Sequence, residues 1–522
     1  MSLVACEQNT PELSNTPSNV SQQQSATMIL PSLPPSQTRA LVNDDASATP
    51  FPTNTPMGCE TNLEERQVHY ALSATLDWNT KQMGVLQTVT YRNDSDTVIH
   101  ELVFYVEPRR LQGVMQFRSA LDEAGNEIPN IEFDGWRLSV PLPERLFPNC
   151  SAKISLLFNL NIGPYSSTNP IGWLSYTDRQ VNIGHWFPTV GLYGYQMPGV
   201  WYTPRMHFIG EQSITVLADY DLQLSVQNAP ANLTLAAPGI ITQTEPAKWQ
   251  IEFNGGRELA MSLSTTFEKI TTSVDDVLIE LYYYPREDTR ETGLNPAARA
   301  ILDAEQAFKL YNENFSPYPH NRLVIVEGDF PDGMEFSGIV FVSEAWFRTW
   351  NGRVNDWLTI ITVHEIAHQW WYSLIGTNQG QTPYLDEALA TYSELLYYQA
   401  YYPEFVEWWW NFRVYTYLSE DKVDATVYDY SSWRPYINAV YLRGCLMFQA
   451  LRETLGDEIF LAWLADYARL YSGHIASSQD FWSVLSPTNY DRVATIRQQY
   501  LKEADILPPA LTNRTPIAPL GN

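Results

Sequence analysis

Two histidines and a glutamate in the second half of the chain have the spacing of a zinc site. His364, Glu365 and His368 form the pattern H-E-x-x-H. On a helix, side chains four residues apart lie one turn apart on the same face, so both imidazoles can bind one zinc ion, with Glu365 placed to act as a general base. The alternative is a chance match on a core helix, which 8 histidines in 522 residues would give about once per hundred such chains. We therefore interpret the pattern as a zinc site.

A third zinc ligand is expected further along the chain, because a catalytic zinc ion takes three protein ligands and keeps a fourth position open. Glu387 follows His368 after an interval of 18 residues and opens a second run with helical periodicity. The extended pattern H-E-x-x-H-x18-E is much more specific than the pentapeptide alone. Glu387 is therefore the candidate third ligand.

The extended pattern resembles the gluzincin zinc metallopeptidases of the aminopeptidase N and leukotriene hydrolase family. Residues 384–390 have the sequence Y-L-D-E-A-L-A and are similar to the family's W-L-N-E-G-F-A segment, in which the Glu is the third zinc ligand. The resemblance implies one Zn²⁺ per chain, held by His364, His368 and Glu387. It also implies that Glu394, on the same helix, holds one of the ligands in place, and the alternative for Glu394 is a solvated helix residue.

A segment before the zinc pattern resembles the family's substrate-binding segment G-x-M-E-N. Residues 332–336 have the sequence D-G-M-E-F, which implies that Gly333, Met334 and Glu335 bind substrate and that Glu335 binds its free α-amine. The leading Gly and the final Asn of the family are replaced by Asp332 and Phe336 here. A surface charge is the alternative for Glu335. We find no Gln or Glu equivalent to the family's second amine ligand around residues 184–190, which leaves strict exopeptidase behaviour open.

A segment after the zinc pattern resembles the family's Y-x-[KR]-G segment. Residues 441–444 have the sequence Y-L-R-G, and the resemblance implies that Tyr441 donates a hydrogen bond to the oxyanion of the substrate. In the mechanism that follows, Glu365 takes the proton of the attacking water and passes it to the leaving amine, while zinc polarises the water and the scissile carbonyl.

The elements that must position these residues fall into two blocks. From about Cys59 to Phe267, short alternating runs rich in β-branched and aromatic residues predict an all-β domain, and from about Asn295 the period is mainly helical. The sequence thus predicts a multidomain protein: an N-terminal β-sandwich or saddle domain at 58–270, followed at 290–507 by an α+β, mainly helical thermolysin-like zinc peptidase domain. Residues 508–522 are predicted to be a disordered tail. The resemblance implies a bacterial short form without the family's C-terminal helical domain.

Composition and the N-terminal residues bear on partners and location. The formal charge is 32 − 59 = −27, which argues against a nucleic-acid partner. Residues 1–57 are rich in Ser, Thr, Pro, Gln and Asn and predict a flexible tether. Leu3–Cys6 (L-V-A-C) resembles the lipobox of bacterial lipoproteins, which implies a lipid anchor at Cys6 and an extracytoplasmic cell-surface location; chance is the alternative. Cys59 and Cys150 occupy loop positions that a disulfide can join, and we hypothesise that bond.

The sequence as a whole predicts a zinc metallopeptidase, most specifically an aminopeptidase acting on peptides with a free N-terminus. Two alternatives stay open. One is a zinc endopeptidase or oligopeptide hydrolase, favoured by the missing second amine ligand and by the open site expected without the family's C-terminal helical domain. The other is a non-enzymatic surface protein that binds peptides, against which the combination of Glu365 and Tyr441 argues. Side-chain preference, physiological substrate and oligomeric state are not predicted.

Overall fold

The first domain is built from strands whose side chains alternate between core and surface. In β1 (Val68–Asp77) every second residue is buried, and β7 (Ser151–Asn161) repeats this pattern with Ile154, Leu156 and Phe158. Because successive side chains of a strand point to opposite faces, the alternation gives a sheet one apolar face. That face is buried against the neighbouring sheets of the same domain, in one shared apolar core.

The computed structural model describes residues 66–167, 169–286, 293 and 295–506. These residues belong to one compact unit. None of the helices in these ranges is long and apolar enough to cross a bilayer. The other strands of the first domain are β2 (Gln82–Arg92), β3 (Ile99–Tyr105), β4 (Met115–Leu121), β5 (Glu132–Asp134), β6 (Arg137–Leu146), β8 (Leu174–Tyr176), β9 (Gln180–Ile183), β10 (Thr189–Val190), β11 (Leu192–Tyr193), β12 (Trp201–Tyr202), β13 (Ala218–Gln227), β14 (Thr234–Ala236), β15 (Ile240–Glu245), β16 (Lys248–Gly256) and β17 (Met261–Ser264).

These strands form one large sheet and three smaller ones. The large sheet has the strand order β15-β16-β13-β1-β2-β7-β4, in which β1 and β13 are parallel and the other neighbours antiparallel. The smaller sheets have the orders β10-β3-β6-β5, β14-β17-β9-β8 and β11-β12. A short 3₁₀ helix at Glu107–Arg110 follows β3.

The second block begins with a five-stranded sheet. Its strands are β18 (Glu268–Val274), β19 (Val277–Tyr283), β20 (Arg322–Gly328), β21 (Gly333–Phe336) and β22 (Ile339–Ser343), in the order β18-β19-β20-β22-β21. The strands β19, β20 and β22 are parallel, and β21 pairs antiparallel with β22 at the edge. The sheet of the second block therefore begins before the predicted boundary at residue 290. The reason is that β19 pairs directly with β20, although a helix separates the two strands in the chain.

The remainder of the second block is mainly helical. The α-helices are α1 (Pro296–Asn314), α2 (Glu344–Thr349), α3 (Trp357–His368), α4 (Glu387–Tyr401), α5 (Val406–Trp409), α6 (Trp433–Ile437), α7 (Arg443–Leu455), α8 (Asp457–Leu470), α9 (Ser478–Ser483), α10 (Pro487–Arg492) and α11 (Ala494–Tyr500). Short π-helical segments cover Gln369–Leu374, Trp410–Val414 and Asn438–Leu442, and 3₁₀ turns cover Pro383–Leu385, Pro403–Phe405, Tyr415–Tyr417 and Val427–Asp429. A β domain followed by a mainly helical α+β block confirms the predicted fold class.

Helices α1, α3 and α4 pack together beside the sheet and bury the segment that carries the histidines. Every residue of α3 after Trp357 is buried. The Tyr311 hydroxyl of α1 lies 3.2 Å from the carbonyl oxygen of Val363 in α3 and 3.0 Å from that of Ser393 in α4. This contact joins the three helices close to both histidines.

A buried arginine joins the first domain to the π-helical segment Gln369–Leu374, which follows α3. Arg257, which follows β16, is 1% exposed and donates to the carbonyl oxygens of Tyr372 at 2.7 Å and Leu374 at 3.2 Å. It also donates to Thr215 of its own domain at 2.6 Å. Burial lowers the pKa of Arg257 to about 10. Gly376 permits this approach, since a Cβ there would lie 2.4 Å from Nη1 of Arg257.

Candidate active site

The three predicted zinc ligands meet at one point. His364 and His368 lie on adjacent turns of α3, and Glu387 is the first residue of α4. The Oε2 atom of Glu387 lies 3.4 Å from Nε2 of His364 and 3.5 Å from Nε2 of His368. All three side chains are buried, with ligand atoms within 4.8 Å of one another. The helical spacing and the start of α4 thus bring together the residues that the sequence predicted.

The donor set fits a zinc ion. The Oε2 atom of Glu387 is buried and has no hydrogen-bond partner among the described residues. Each histidine uses Nδ1 to contact a carboxylate, which leaves Nε2 facing Glu387. Two imidazoles held at Nδ1 and one carboxylate are a ligand set that catalytic zinc sites use. A cation at this point would partner the otherwise unpaired oxygen.

Glu394 lies behind His364, as the resemblance implied. Its Oε1 lies 2.8 Å from Nδ1 of His364, and the carboxylate also accepts hydrogen bonds from Arg413 at 2.9 Å and from Trp409 at 3.0 Å. Burial acts to raise the pKa of Glu394, but Arg413 and His364 lower it below its ordinary value. Glu394 is fully buried, so the alternative of a solvated helix residue is wrong.

Asp386 contacts His368 in the same way that Glu394 contacts His364. The sequence did not predict this contact. Its Oδ1 lies 2.5 Å from Nδ1 of His368, and both side chains are buried. The family segment has Asn at this position, one residue before the third ligand. A carboxylate next to Glu387 was the available signal, because histidine ligands commonly donate their second nitrogen to an acid.

Glu365 lies on the sheet side of the site, against β21. A Cβ at Gly333 would lie 2.1 Å from Oε1 of Glu365, so the glycine gives this carboxylate its space. Burial raises the pKa of Glu365 to about 7, and a cation at the three ligands would lower it. A carboxyl group whose pKa is near neutral can both take and return a proton.

Gly333, Met334 and Glu335 of β21 have different environments. Glu335 is 5% exposed, and its carboxylate lies with those of Glu211 and Glu387 in a group whose oxygens are within 4.8 Å of one another. Met334 is 2% exposed and belongs to an apolar cluster with Phe336 and other core residues. Gly333 borders Glu365, as described above. The Met334 side chain therefore lies in the core, and a substrate contact at this position would involve its backbone.

Glu211 lies beside Glu335 as a second acidic side chain, although the sequence offered no Gln or Glu for this place around residues 184–190. It lies in the segment between β12 and β13, outside residues 184–190, where the sequence search was made. Burial, and then the neighbouring Glu387, raise the pKa of Glu211 to about 8, and burial raises that of Glu335. Two such carboxylates favour a positively charged partner, since a cation offsets the cost of burying them.

The segment that carries Glu211 has a fixed backbone. Gln212 donates from Nε2 to the carbonyl oxygens of Ile209 at 2.9 Å and Gly210 at 2.6 Å, and its Oε1 accepts from the backbone of His207 at 3.1 Å. Gly210 has φ +64°, and a Cβ there would lie 2.9 Å from the hydroxyl oxygen of Tyr436. Only the fold reveals this arrangement, since no local pattern in the sequence marks Glu211.

Tyr441 and Tyr436 differ in their access to the site. The Tyr441 ring stacks against His364 with the ring centres 6.1 Å apart, and it is only partly buried. Burial, and then Glu387, raise the pKa of Tyr441, so its hydroxyl keeps its proton at neutral pH. Tyr436 is 1% exposed and packs against Gly210. Tyr441 is thus the tyrosine placed to donate a hydrogen bond into the site.

Comparison with known proteins agrees with this architecture. Residues 299–500 match the model of the peptidase family M1 domain, and this match, together with the solved zinc metallopeptidases, indicates zinc as the cofactor. The human endoplasmic reticulum aminopeptidase 2 is 28% identical over 235 residues, covering 40% of this chain and 23% of that protein. Rice aminopeptidase M1-D is 25% identical over 230 residues, covering 41% of this chain and 26% of that protein. The matches thus span about a quarter of each relative.

Solved structures support the fold over most of the chain. A variant of the M1 zinc metallopeptidase from Deinococcus radiodurans, bound to a Tyr-Ser-Ala substrate, superposes with a TM-score of 0.59 at 18% identity. The superposition covers 85% of this chain and 96% of the other. The two-domain architecture is therefore shared.

Proposed function

We propose that this protein is a zinc-dependent aminopeptidase that removes N-terminal residues from peptides. The observation that carries the proposal is the placement of Glu211 and Glu335 beside the ligand Glu387. A substrate whose ammonium lies between these two carboxylates has its first peptide bond next to the metal ligands. The aminopeptidase relatives and the tripeptide complex of a structural neighbour support this assignment.

The residues of the chain supply the remaining chemistry. When bound by His364, His368 and Glu387, zinc polarises the attacking water and the scissile carbonyl. Glu365 accepts the proton of that water and returns it to the leaving amine. Tyr441 donates a hydrogen bond to the oxyanion as the carbonyl becomes tetrahedral.

The carboxylates of Glu211 and Glu335, which we call the amine site, distinguish this proposal from the alternatives. The endopeptidase alternative was favoured by the lack of a second acidic partner and by an open site, and the position of Glu211 beside Glu335 counts against the first of these grounds. A peptide-binding protein without activity has no need of Glu365 and Tyr441 on either side of a metal site. Both alternatives remain outcomes of the experiment below.

The test uses two peptides of the same sequence, one with a free amine and one N-acetylated, with product analysis by mass spectrometry. We expect stepwise loss of N-terminal residues from the free peptide, little change in the acetylated one, and no cleavage with a chelator present. Glu211→Gln should slow hydrolysis of the free peptide far more than any residual cleavage of the blocked one. Internal cleavage of both peptides would support an endopeptidase, and cleavage of neither would support a binding protein.

We also propose a lipid anchor at Cys6 and an extracytoplasmic location. Cys6 and the tether lie outside the described residues, and the proposal is supported by the L-V-A-C segment. It is further supported by Cys150, which is disulfide-bonded, because disulfides persist mainly in oxidising compartments. Labelling with a fatty acid in a bacterial host should modify the wild type but not Cys6→Ser. Equal labelling of both would refute the anchor.

A further inference from the structure

A buried amide lies between the amine site and the metal site. Nε2 of Gln379 donates to Oε1 of Glu335 at 3.1 Å and to Oδ2 of Asp386 at 2.8 Å. The other oxygen of Asp386 contacts Nδ1 of His368 at 2.5 Å. One NH₂ group is therefore shared by the carboxylate that faces the substrate's amine and the carboxylate that holds a zinc ligand.

The orientation of this amide is determined by its neighbours. Gln379 is 3% exposed, and its Oε1 is buried with no hydrogen-bond partner in the described part of the chain. Turning the amide over would place that oxygen against two carboxylate oxygens and lose both hydrogen bonds. The NH₂ group of Gln379 therefore faces the two carboxylates, and its Oε1 is the atom left without a partner among the described residues.

The loop that carries Gln379 is attached to both domains. Nδ2 of Asn378 donates to the hydroxyl of Tyr202 in β12 at 2.9 Å. The carbonyl oxygen of Gly380 accepts from the backbone of Val427 at 3.1 Å, and that of Asn378 accepts from Thr382 at 2.7 Å. The residues on either side of Gln379 are therefore attached to both domains.

We propose that Gln379 is a positioning residue that holds Glu335 for the substrate's ammonium and Asp386 for His368, and that it thereby sets the preference for free-amine peptides. The proposal rests on the proposed aminopeptidase function. Without a donor between them, the two buried carboxylates repel each other and turn apart. Because the polar atoms of Gln379 are either bonded or buried, it acts on substrate through Glu335.

The test replaces Gln379 with methionine, which keeps the length of the side chain and removes both donated hydrogen bonds. We expect KM for a free-amine peptide to rise about 10- to 100-fold, as for the loss of a hydrogen bond to a charged group, with a much smaller change in kcat. We also expect faster loss of zinc to a chelator. Gln381→Met, at an exposed position of the same loop, is the matched control and should behave as wild type in both assays.

A double-mutant cycle shows whether Gln379 acts through Glu335. In a Glu335→Gln background, Gln379→Met should raise KM by less than about twofold, because the carboxylate it positions is gone. The full KM effect in that background would overturn the proposal. So would a wild-type KM in folded Gln379→Met. If Gln379→Met does not fold, Gln379→Asn, whose amide is one methylene shorter, replaces it with the same expectations.

The zinc-loss assay distinguishes a failure of this proposal from a failure of the proposed function. A wild-type protein that cleaves no free-amine peptide would refute the aminopeptidase assignment. The rates of zinc loss of Gln379→Met and Gln381→Met would still decide whether the amide supports Asp386 and His368. Equal rates would overturn that part of the proposal, and faster loss from Gln379→Met alone would support it.

Discussion

At the scale of single residues, each of the two histidines predicted to bind zinc is held by a second side chain. Both histidines contact a buried carboxylate through Nδ1, Glu394 for one and Asp386 for the other. Such partners fix the tautomer and the ring orientation of a histidine ligand. The two carboxylates therefore orient both histidines toward Glu387.

Removal of one predicted ligand tests the metal site itself. We expect wild-type protein to contain about one zinc per chain and His368→Ala to contain almost none, with activity lost. Metal analysis and circular dichroism of purified protein measure the metal content and the folding. His100→Ala, at an exposed position in β3, controls for the loss of an imidazole. Active wild-type protein without zinc would contradict the assignment.

The hydroxyl of Tyr441 should act mainly in the transition state. Tyr441→Phe keeps the ring that stacks on His364, so zinc content and KM should change little, while kcat should fall about 10²- to 10³-fold. Steady-state kinetics and metal analysis check this. Tyr436→Phe is the control, because that ring is buried against Gly210. If Tyr436→Phe lost turnover and Tyr441→Phe kept it, the oxyanion role would belong to Tyr436.

Residue spacing predicted the part of the site that is local in the chain. His364 and His368 share a helix face, and Glu387 opens the next long helix, so their meeting follows from helical geometry. Glu211 could not be predicted in this way, because a long irregular segment and the packing of two domains bring it to Glu335. Gln379 gave no signal either, since an amide in a loop acquires its role only from the carboxylates that the fold places beside it.

At the scale of elements, a histidine lies where the two domains meet. The His320 ring contacts Phe253 of β16 and Tyr318, with ring centres 4.9 Å and 5.2 Å apart. Its Nε2 is buried and unpaired within the described ranges. Burial, and then Arg66, lower the pKa of His320 to about 4 from the ordinary 6.5.

This histidine should make stability depend on pH. Above pH 6.5 the imidazole is neutral in both states, whereas between pH 6.5 and 4 only the unfolded chain binds the proton. The free energy of unfolding should therefore fall as the pH falls through this window, by about 3 kcal/mol from His320 alone. In urea unfolding, His320→Gln should lose that part of the slope. His100→Gln is the control, and identical slopes for wild type and His320→Gln would refute the effect.

The contact between Arg257 and the segment Gln369–Leu374 after α3 should contribute strongly to stability. Arg257→Met leaves several buried carbonyl oxygens without a donor, and we expect a loss of about 3 kcal/mol in the free energy of unfolding. Lys248→Met, which removes an exposed cation paired with Glu245, should cost less than about 0.5 kcal/mol. Urea denaturation of both variants gives the comparison. Similar losses would show that the hydrogen bonds of Arg257 contribute no more to stability than an exposed ion pair does.

At the scale of the whole molecule, the cysteines provide a test of the proposed extracytoplasmic location. Cys150 is disulfide-bonded and Cys445 is a free, buried thiol, while the predicted partner Cys59 lies outside the described residues. Alkylation of native protein before reduction should leave Cys59 and Cys150 unlabelled and label both after reduction. Labelling of both thiols in native secreted protein would refute the Cys59–Cys150 bond.

The segment around Glu211 constrains how such a protein can change over evolutionary time. Its carboxylate is encoded in the first domain, yet it completes a pocket whose other walls are encoded in the second. Recombination between relatives at the domain boundary would join the Glu211 segment of one relative to the site residues of another. The resulting chimaera would keep His364, His368 and Glu387 and would lose the proposed contact of Glu211 with the substrate's amine.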